Sequence, residues 1–76
     1  MNRFLGSILG QRSKLEALRC LWAERQELAG REIARRTGLS HLAIHQALAA
    51  LVEAGIVERR LALPTHLFQL NRKRWV

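Results

Sequence analysis

The chain has 76 residues, of which 49% are hydrophobic, and its net charge at pH 7 is +7. This length allows one small domain, and the hydrophobic content is ample for a core, so we expect disorder only near the ends. No apolar run is long enough for a transmembrane helix or a secretory signal, and a single cysteine excludes an internal disulfide framework. The excess of basic residues favours a polyanionic partner.

The first predicted helix runs from about residue 13 to residue 23. Ser13 and Glu16 have the spacing of a capping box, in which the serine accepts from a free helix amide and the glutamate returns to the cap. The buried stripe of this helix is predicted from apolar residues at helical spacing, namely Leu15, Leu18, Leu21 and Trp22. Residues 1–12 are then expected to form an N-terminal extension.

Residues 30–57 predict two helices that meet at a tight turn. Gly38 supplies the left-handed backbone conformation at this turn, and Ser40 can cap the helix that follows. Ala34 is small enough for the two helices to cross closely, and Ile44 is placed to fill their crossing. The second of these helices is predicted over residues 41–54, with Gly55 as its C-terminal stop.

Short strands are predicted at residues 28–29, 56–61 and 66–70, and the last two flank an apolar turn at residues 63–65. Phe68 and Leu70 would share the buried face because they are two residues apart. Three helices followed by a hairpin give a mainly α winged helix-turn-helix fold, with a two- or three-stranded sheet. The domain is predicted over residues 13–71, with a basic tail at 72–76. The predicted core comprises Leu15, Leu18, Trp22, Ile33, Ala34, Leu39, Ile44, Leu48, Leu51, Ile56, Phe68 and Leu70.

Two stretches carry a resemblance to a known class of proteins. The residues G-R-E-I-A at 30–34 and L-V-E-A-G-I-V at 51–57 are typical of winged helix-turn-helix transcriptional regulators of bacteria and archaea. Residues 13–72 resemble these regulators, most nearly the arsenical-resistance-repressor and multiple-antibiotic-resistance-regulator types. The resemblance implies a fold and double-stranded DNA as a partner, without implying a cognate sequence.

A second resemblance involves residues 6–18 and 66–72. These segments are similar to winged helices that precede minimal nucleotidyltransferase domains. Because the sequence ends at Val76, we expect no such enzyme domain. We find no phosphate-binding glycine loop, carboxylate pair or nucleophile–base arrangement, and therefore expect no catalytic residues and no cofactor.

The predicted recognition helix contains no lysine or arginine, and none occurs between Thr37 and Glu58. The residues expected to face outward and contact bases in the major groove are His41, Leu42, His45, Gln46 and Ala49. Gln46 can pair with adenine, and His45 can donate to guanine or to phosphate. Leu42 or Ala49 can touch a thymine methyl group, so the helix is expected to favour A·T-containing sites.

Basic residues instead cluster before the turn, at the start of the hairpin and at the C-terminus. The expected phosphate contacts are Arg31, Arg35, Arg36, Ser40, Arg59, Arg60, Arg72, Lys73 and Arg74. Within the hairpin, DNA contact is expected from Arg59, Arg60 and His66. We expect a homodimer on a near-palindromic site, with recognition helices about 34 Å apart. The lone cysteine suits a reducing cytoplasm, where such a protein would be nucleoid-associated.

The main alternative is a winged helix that serves as a protein-interaction module or as a subunit of a larger nucleic-acid-processing complex. It is motivated by the weakly charged third helix, by the apolar hairpin tip around Leu63, and by apolar residues at both ends, such as Phe4 and Trp75.

A metal site is the weaker alternative. His41 and His45 are one helical turn apart, and Cys20 could be imagined as a third ligand. These histidines are more readily explained as DNA contacts and the cysteine as a core residue, so no metal is expected. No membrane association is expected either.

Overall fold

The computed structural model describes residues 8–75. Residues 1–7 and 76, which include Phe4 of the predicted apolar ends, lie outside the described residues. The described chain contains helices α1 (Ile8–Glu24), α2 (Gly30–Thr37), α3 (His41–Glu53) and α4 (Arg72–Trp75), and strands β1 (Leu28–Ala29), β2 (Val57–Ala62) and β3 (Thr65–Leu70). The strands form one antiparallel sheet in the order β1-β3-β2. The predicted winged helix-turn-helix fold is confirmed.

The start of α1 differs from the prediction. The helix begins at Ile8 rather than near Ser13, so residues 8–12 are helical and the predicted capping box is wrong. Ser13 lies inside the helix and is completely buried. The buried side of α1 includes Gly10 and also Ser13, Ala17 and Leu21, which are four residues apart and therefore share one face.

Two large residues of α1 were wrongly assigned to the core. Leu15 is 50% exposed and Trp22 is 56% exposed. Helix α1 packs against α3, and both helices have small buried residues, Ser13 and Ala17 on α1 and Ala43 and Ala47 on α3. Small buried residues on both helices allow a close approach of the two backbones, and the bulky side chains of α1 consequently lie on its outer side.

The rest of the predicted core is largely confirmed. The buried members are Ile33, Ala34, Ile44, Leu48, Leu51, Phe68 and Leu70, and the partly buried ones are Leu18, Leu39 and Ile56. Leu28 of β1 and Val57 of β2 join this cluster. The core therefore lies between the three longer helices and one face of the sheet.

The turn between α2 and α3 has the geometry that its sequence predicts. Gly38 adopts φ 74° and ψ 10°, and its amide donates to the carbonyl of Ala34 at 2.9 Å. The Oγ atom of Ser40 accepts from the amide of Ala43 at 3.0 Å and so caps α3. Backbone groups at the end of α2 and at the start of α3 thus find hydrogen-bond partners within four residues of the turn.

The end of α3 is also fixed by hydrogen bonds. Gly55 has φ 79°, and the amide of Ile56 donates to the carbonyl of Leu51 at 3.0 Å, as in a Schellman motif. Asn71, just after β3, donates from Nδ2 to the Gly55 carbonyl at 3.0 Å and from its amide to the Ile56 carbonyl at 2.9 Å. These bonds join the far end of the hairpin to the end of α3, and Gly55 ends the helix as predicted.

A substitution pair on α3 tests this core. Ile44 is 1% exposed and Leu42, two positions earlier, is 64% exposed. We expect Ile44→Asp to unfold the domain, because an unpaired buried charge costs several kcal/mol and small domains are marginally stable. Leu42→Asp should keep a cooperative melt in circular dichroism. A normal melt of the Ile44→Asp variant would contradict the assignment.

Candidate nucleic-acid interface

The open face of α3 presents four of the five predicted base contacts together. His41, Leu42, His45 and Ala49 are all exposed. The opposite face of the helix is anchored in the core through Ile44 and its neighbours. Since His41 and His45 are four residues apart, their side chains lie on the same side of the helix.

Gln46, the fifth predicted base contact, lies at the edge of this open face. It is half-buried, and its Oε1 atom is buried without a hydrogen-bond partner among the described residues. A buried acceptor that lacks a partner is unfavourable. Turning the amide outward therefore breaks no hydrogen bond of Oε1.

The pleat of the sheet separates the two arginines of the hairpin. Arg59 is paired across the sheet with Phe68, which is buried, so both lie on the face that is turned toward the helices. Arg60 is the next residue and lies on the opposite face. His66 is on the same side as Arg59, since it is two residues from Phe68.

Arg60 is engaged in an ion pair on that opposite face. Its Nε and Nη2 atoms donate to the two carboxylate oxygens of Glu27 at 2.7 and 2.6 Å. These hydrogen bonds lower the pKa of Glu27. The bidentate pair holds the loop before β1 against β2.

A second set of arginines surrounds Glu32 on α2. Arg35 donates from Nε to Oε1 of Glu32 at 3.0 Å, and Arg36 donates from Nε to Oε2 at 2.7 Å. Hydrogen bonds from Arg35 and then from Arg36 lower the pKa of Glu32 to about 2. Arg36 also pairs with Glu24 of α1, so it connects α1 to α2.

The remaining predicted phosphate contacts lie in different surroundings. Within residues 8–75 Arg31 has no ion-pair partner, while Ser40 serves as the cap of α3. Arg72 lies over the ring of Trp22, with its guanidinium carbon 5.9 Å from the ring centroid. Lys73 is exposed beside it on α4, and Arg74 belongs to the same short helix.

A cleft of about 270 Å³ opens between α3 and the hairpin. Its lining includes Arg31, His45, Arg59 and His66, which come from four different elements. Gly30 and Phe68 also line it, and neither residue was predicted from the sequence to belong to a site. The alternation of β3 could have indicated Phe68, because one face of that strand has to approach α3.

The histidines and the cysteine are not brought together. Cys20 lines a separate cleft with Glu24 and Arg36, and burial raises the pKa of its thiol. No group of three or more histidine, cysteine, aspartate or glutamate side chains within residues 8–75 is arranged to hold a metal ion. None of the described helices is long and apolar enough to cross a membrane.

These features define a DNA-binding winged helix-turn-helix domain of the kind found in transcriptional regulators. A family model described as the IclR helix-turn-helix domain matches residues 15–61, well over half of the chain, and the chain belongs to this family. The predicted regulator class is therefore confirmed, whereas the match is to the IclR family rather than to the arsenical-resistance or multiple-antibiotic-resistance types. Searches of curated proteins and of solved structures gave no match.

The hydrogen bonds of Arg35 and Arg36 to Glu32 lead to a prediction about how the stability of the domain depends on pH. Because its folded pKa of about 2 lies below the usual value of about 4.3, Glu32 stabilises the fold above that usual value. The contribution is lost as the pH falls toward 2. We therefore expect Glu32→Gln to melt at a lower temperature than the wild type at neutral pH, with a difference that vanishes near pH 2.

Circular-dichroism melts across this pH range measure the effect. Glu53→Gln is the matched control, because Glu53 is exposed and has no ion pair within residues 8–75. A melting difference between Glu32→Gln and the wild type that stays constant with pH would contradict the role given to the carboxylate.

Proposed function

We propose that this domain binds double-stranded DNA sequence-specifically, with the open face of α3 in the major groove. The observation that carries the proposal is the exposure of His41, His45, Leu42 and Ala49 along one side of a helix whose other side is fixed in the core. A capped helix held by a helix-turn-helix is suited to enter a major groove, whose width accepts one helix.

Base recognition is assigned to the five residues predicted from the sequence. Gln46 would turn its amide outward and pair with adenine. Its Oε1 atom would lose no hydrogen bond, because it accepts none in the free domain. His41 and His45 would donate to guanine or to phosphate, while Leu42 and Ala49 would contact thymine methyl groups. The proposal thus retains a preference for sites that contain A·T pairs.

Phosphate contact is assigned unequally to the basic residues. Arg31 and Arg59 can contact phosphate directly, because neither has an ion pair within residues 8–75. Arg35, Arg36 and Arg60 would have to exchange a carboxylate for a phosphate. Ser40 can still donate its hydroxyl proton, and Arg72, Lys73 and Arg74 would contribute from α4.

We further propose that two copies bind a near-palindrome as a repressor-like dimer. Two-fold symmetry would place the two α3 helices about 34 Å apart on one face of the duplex. The exposed side chains of Leu15 and Trp22 on α1 support association, since large apolar groups gain from burial. The repressor would act in the cytoplasm at the nucleoid.

Selection from a random duplex library tests the proposal. We expect the wild type to enrich one motif with two related half-sites. Gln46→Ala should relax the preference at one base pair per half-site, by about 1–3 kcal/mol. Arg31→Ala should weaken binding to all sequences alike. A folded protein that enriches no motif at low salt would overturn sequence-specific binding.

A second candidate function is a protein-interaction module that uses the hairpin tip. Leu63 at this tip is 85% exposed, and Leu61 beside it is also exposed. Exposed leucines at a hairpin tip can contact a partner protein, or they can enter a minor groove as wedges.

Leu63→Asp separates the two roles of the tip. If the tip is a protein interface, the variant should lose self-association or partner capture, as measured by sedimentation, while its DNA affinity is retained. If the tip enters the groove, DNA affinity should fall at an unchanged sedimentation-derived mass. Gln69→Asp is the control, because it adds the same charge to the same hairpin at an exposed position away from the tip.

A further inference from the structure

A groove between α1 and the end of β3 is almost entirely apolar. Leu18, Trp22 and the buried Leu70 line a space of about 260 Å³, together with Arg19. Trp22 is 56% exposed, so much of its indole ring is open to solvent. Leu15, which is 50% exposed, extends the apolar surface along α1 by one turn. Adjoining exposed side chains of this size are typical of a surface that binds a partner.

The exposed apolar residues of α1 form a straight ridge along one side of this groove. Leu15, Leu18 and Trp22 follow one another at intervals of three and four residues, and therefore lie on the same side of the helix. The ridge is about 10 Å long, because a helix rises about 1.5 Å per residue. Two turns of a second helix have this length, and side chains at the same intervals on that helix would pack between those of α1. The ridge therefore favours a helical occupant.

The rim of the groove is basic. Arg72 lies over the Trp22 ring, with its guanidinium carbon 5.9 Å from the ring centroid, and Arg19 lines the groove from α1. Glu16, the acidic residue nearest in sequence to Arg19, accepts from it at 3.5 Å. The other exposed cations near this rim in sequence are Arg12, Arg25 and Lys73. An occupant with carboxylates beside an apolar stripe would complement both the groove and its rim.

We propose that this groove binds an acidic amphipathic helix of a partner protein. The apolar side chains of that helix would cover Leu18 and Trp22, while its carboxylates would accept charge-assisted hydrogen bonds from Arg19 and Arg72. This binding is a function in addition to the proposed DNA recognition and does not depend on it.

A duplex and the partner helix would occupy different sides of the domain. Helices α1 and α3 pack against each other through their buried faces, so the groove and the open face of α3 are turned to different sides. Among the cations of α4, Arg72 would serve the partner helix, and Lys73 and Arg74 would remain for phosphate. Both partners could therefore be bound together.

The seven residues before α1 do not fill the groove of their own chain. They include no acidic residue, so they bring no carboxylate side chain to the basic rim. Phe4 is four residues from Ile8, which limits its reach to about 14 Å. Trp22 is about 21 Å along the helix from Ile8. The occupant is therefore another molecule.

A second copy of this chain is the competing occupant. The dimer proposed above could bury Trp22, but a two-fold axis would bring the basic rims of the two copies close together, and like charges repel. An acidic helix would cover the same indole ring and would also neutralise Arg19 and Arg72. Because the two occupants exclude each other, an acidic helix should oppose self-association through Trp22.

A synthetic peptide tests the charge requirement on the full chain in the absence of DNA. The probe is a labelled peptide of about 20 residues, long enough to be helical in water, with leucines at intervals of three and four and glutamates on both sides of them. In the matched peptide, glutamine replaces every glutamate. Fluorescence anisotropy should show that the acidic peptide binds about tenfold more tightly at low salt, and this difference should shrink as salt is added.

Substitutions locate the peptide on the domain. Trp22→Ala should weaken binding of the acidic peptide about tenfold, whereas Leu61→Ala, which removes a similarly exposed residue from the hairpin, should have little effect. Arg72→Gln should weaken the acidic peptide about fivefold and leave the glutamine peptide nearly unchanged. Arg59→Gln removes the same charge from the hairpin and should affect neither peptide. Circular-dichroism melts establish that each variant is folded.

The outcomes separate the acidic helix from the other occupants. Equal affinities for the two peptides, or equal losses for Arg72→Gln and Arg59→Gln, would overturn the proposal. A larger loss for Leu61→Ala than for Trp22→Ala would assign the peptide to the hairpin and overturn it as well. A wild-type dimer in sedimentation that Trp22→Ala makes monomeric, and that excess acidic peptide leaves intact, would assign the groove to a second copy.

The same measurements are independent of the proposed function. Peptide binding that is lost in Trp22→Ala and Arg72→Gln, together with no enriched duplex motif, would support the groove and overturn only sequence-specific DNA binding. An enriched motif together with no binding of the acidic peptide would overturn only the groove.

Discussion

The direction of α3 depends on one left-handed residue between two helices. Gly38 can adopt φ 74° without the cost of roughly 1–2 kcal/mol that a residue with a Cβ atom pays in this region. The hydrogen bond to Ala34 and the Ser40 cap hold the residues on either side. Because the backbone angles of Gly38 determine the direction of α3, Ile44 lies in the core and His45 faces outward. Both the open face of α3 and the cleft beside the hairpin therefore depend on this turn.

The basic residues differ in whether a carboxylate neutralises them, although the net charge counts all of them equally. Glu24, Glu27 and Glu32 each neutralise arginine side chains, and these pairs join α1 to α2 and the β1 loop to the hairpin. Arg31 and Arg59 remain available at the cleft. A net charge of +7 thus describes the long-range attraction to a polyanion, whereas the distribution of the acidic residues determines which arginines are held in ion pairs.

The fold could be predicted from local signals because several of them agree. A glycine at the turn, a serine cap and a terminal glycine specify the limits of α2 and α3. The first helix was less predictable. Its buried face includes Ser13 and Ala17, and the sequence alone does not show that small residues there let a partner helix approach. Hydrophobicity alone therefore placed Leu15 and Trp22 in the core.

The exposure of the candidate interface residues could be predicted in part for a similar reason. Helical periodicity alone indicates which residues of α3 face outward. The different roles of Arg59 and Arg60 follow from strand alternation together with the position of Phe68, which the sequence does contain. The ion pair with Glu27 spans 33 positions along the chain and depends on how the loop before β1 folds back. No local pattern encodes a contact at that separation.

The two hydrogen bonds from Asn71 have a mechanical consequence. They fasten the segment between β3 and α4 directly to the last turn of α3, at Gly55 and Ile56. A displacement applied to α4 is therefore transmitted to the end of α3 over two short bonds, without first travelling through the length of the hairpin. The position where the chain leaves the sheet is thus connected by hydrogen bonds to the end of α3, the helix that is proposed to lie in the groove.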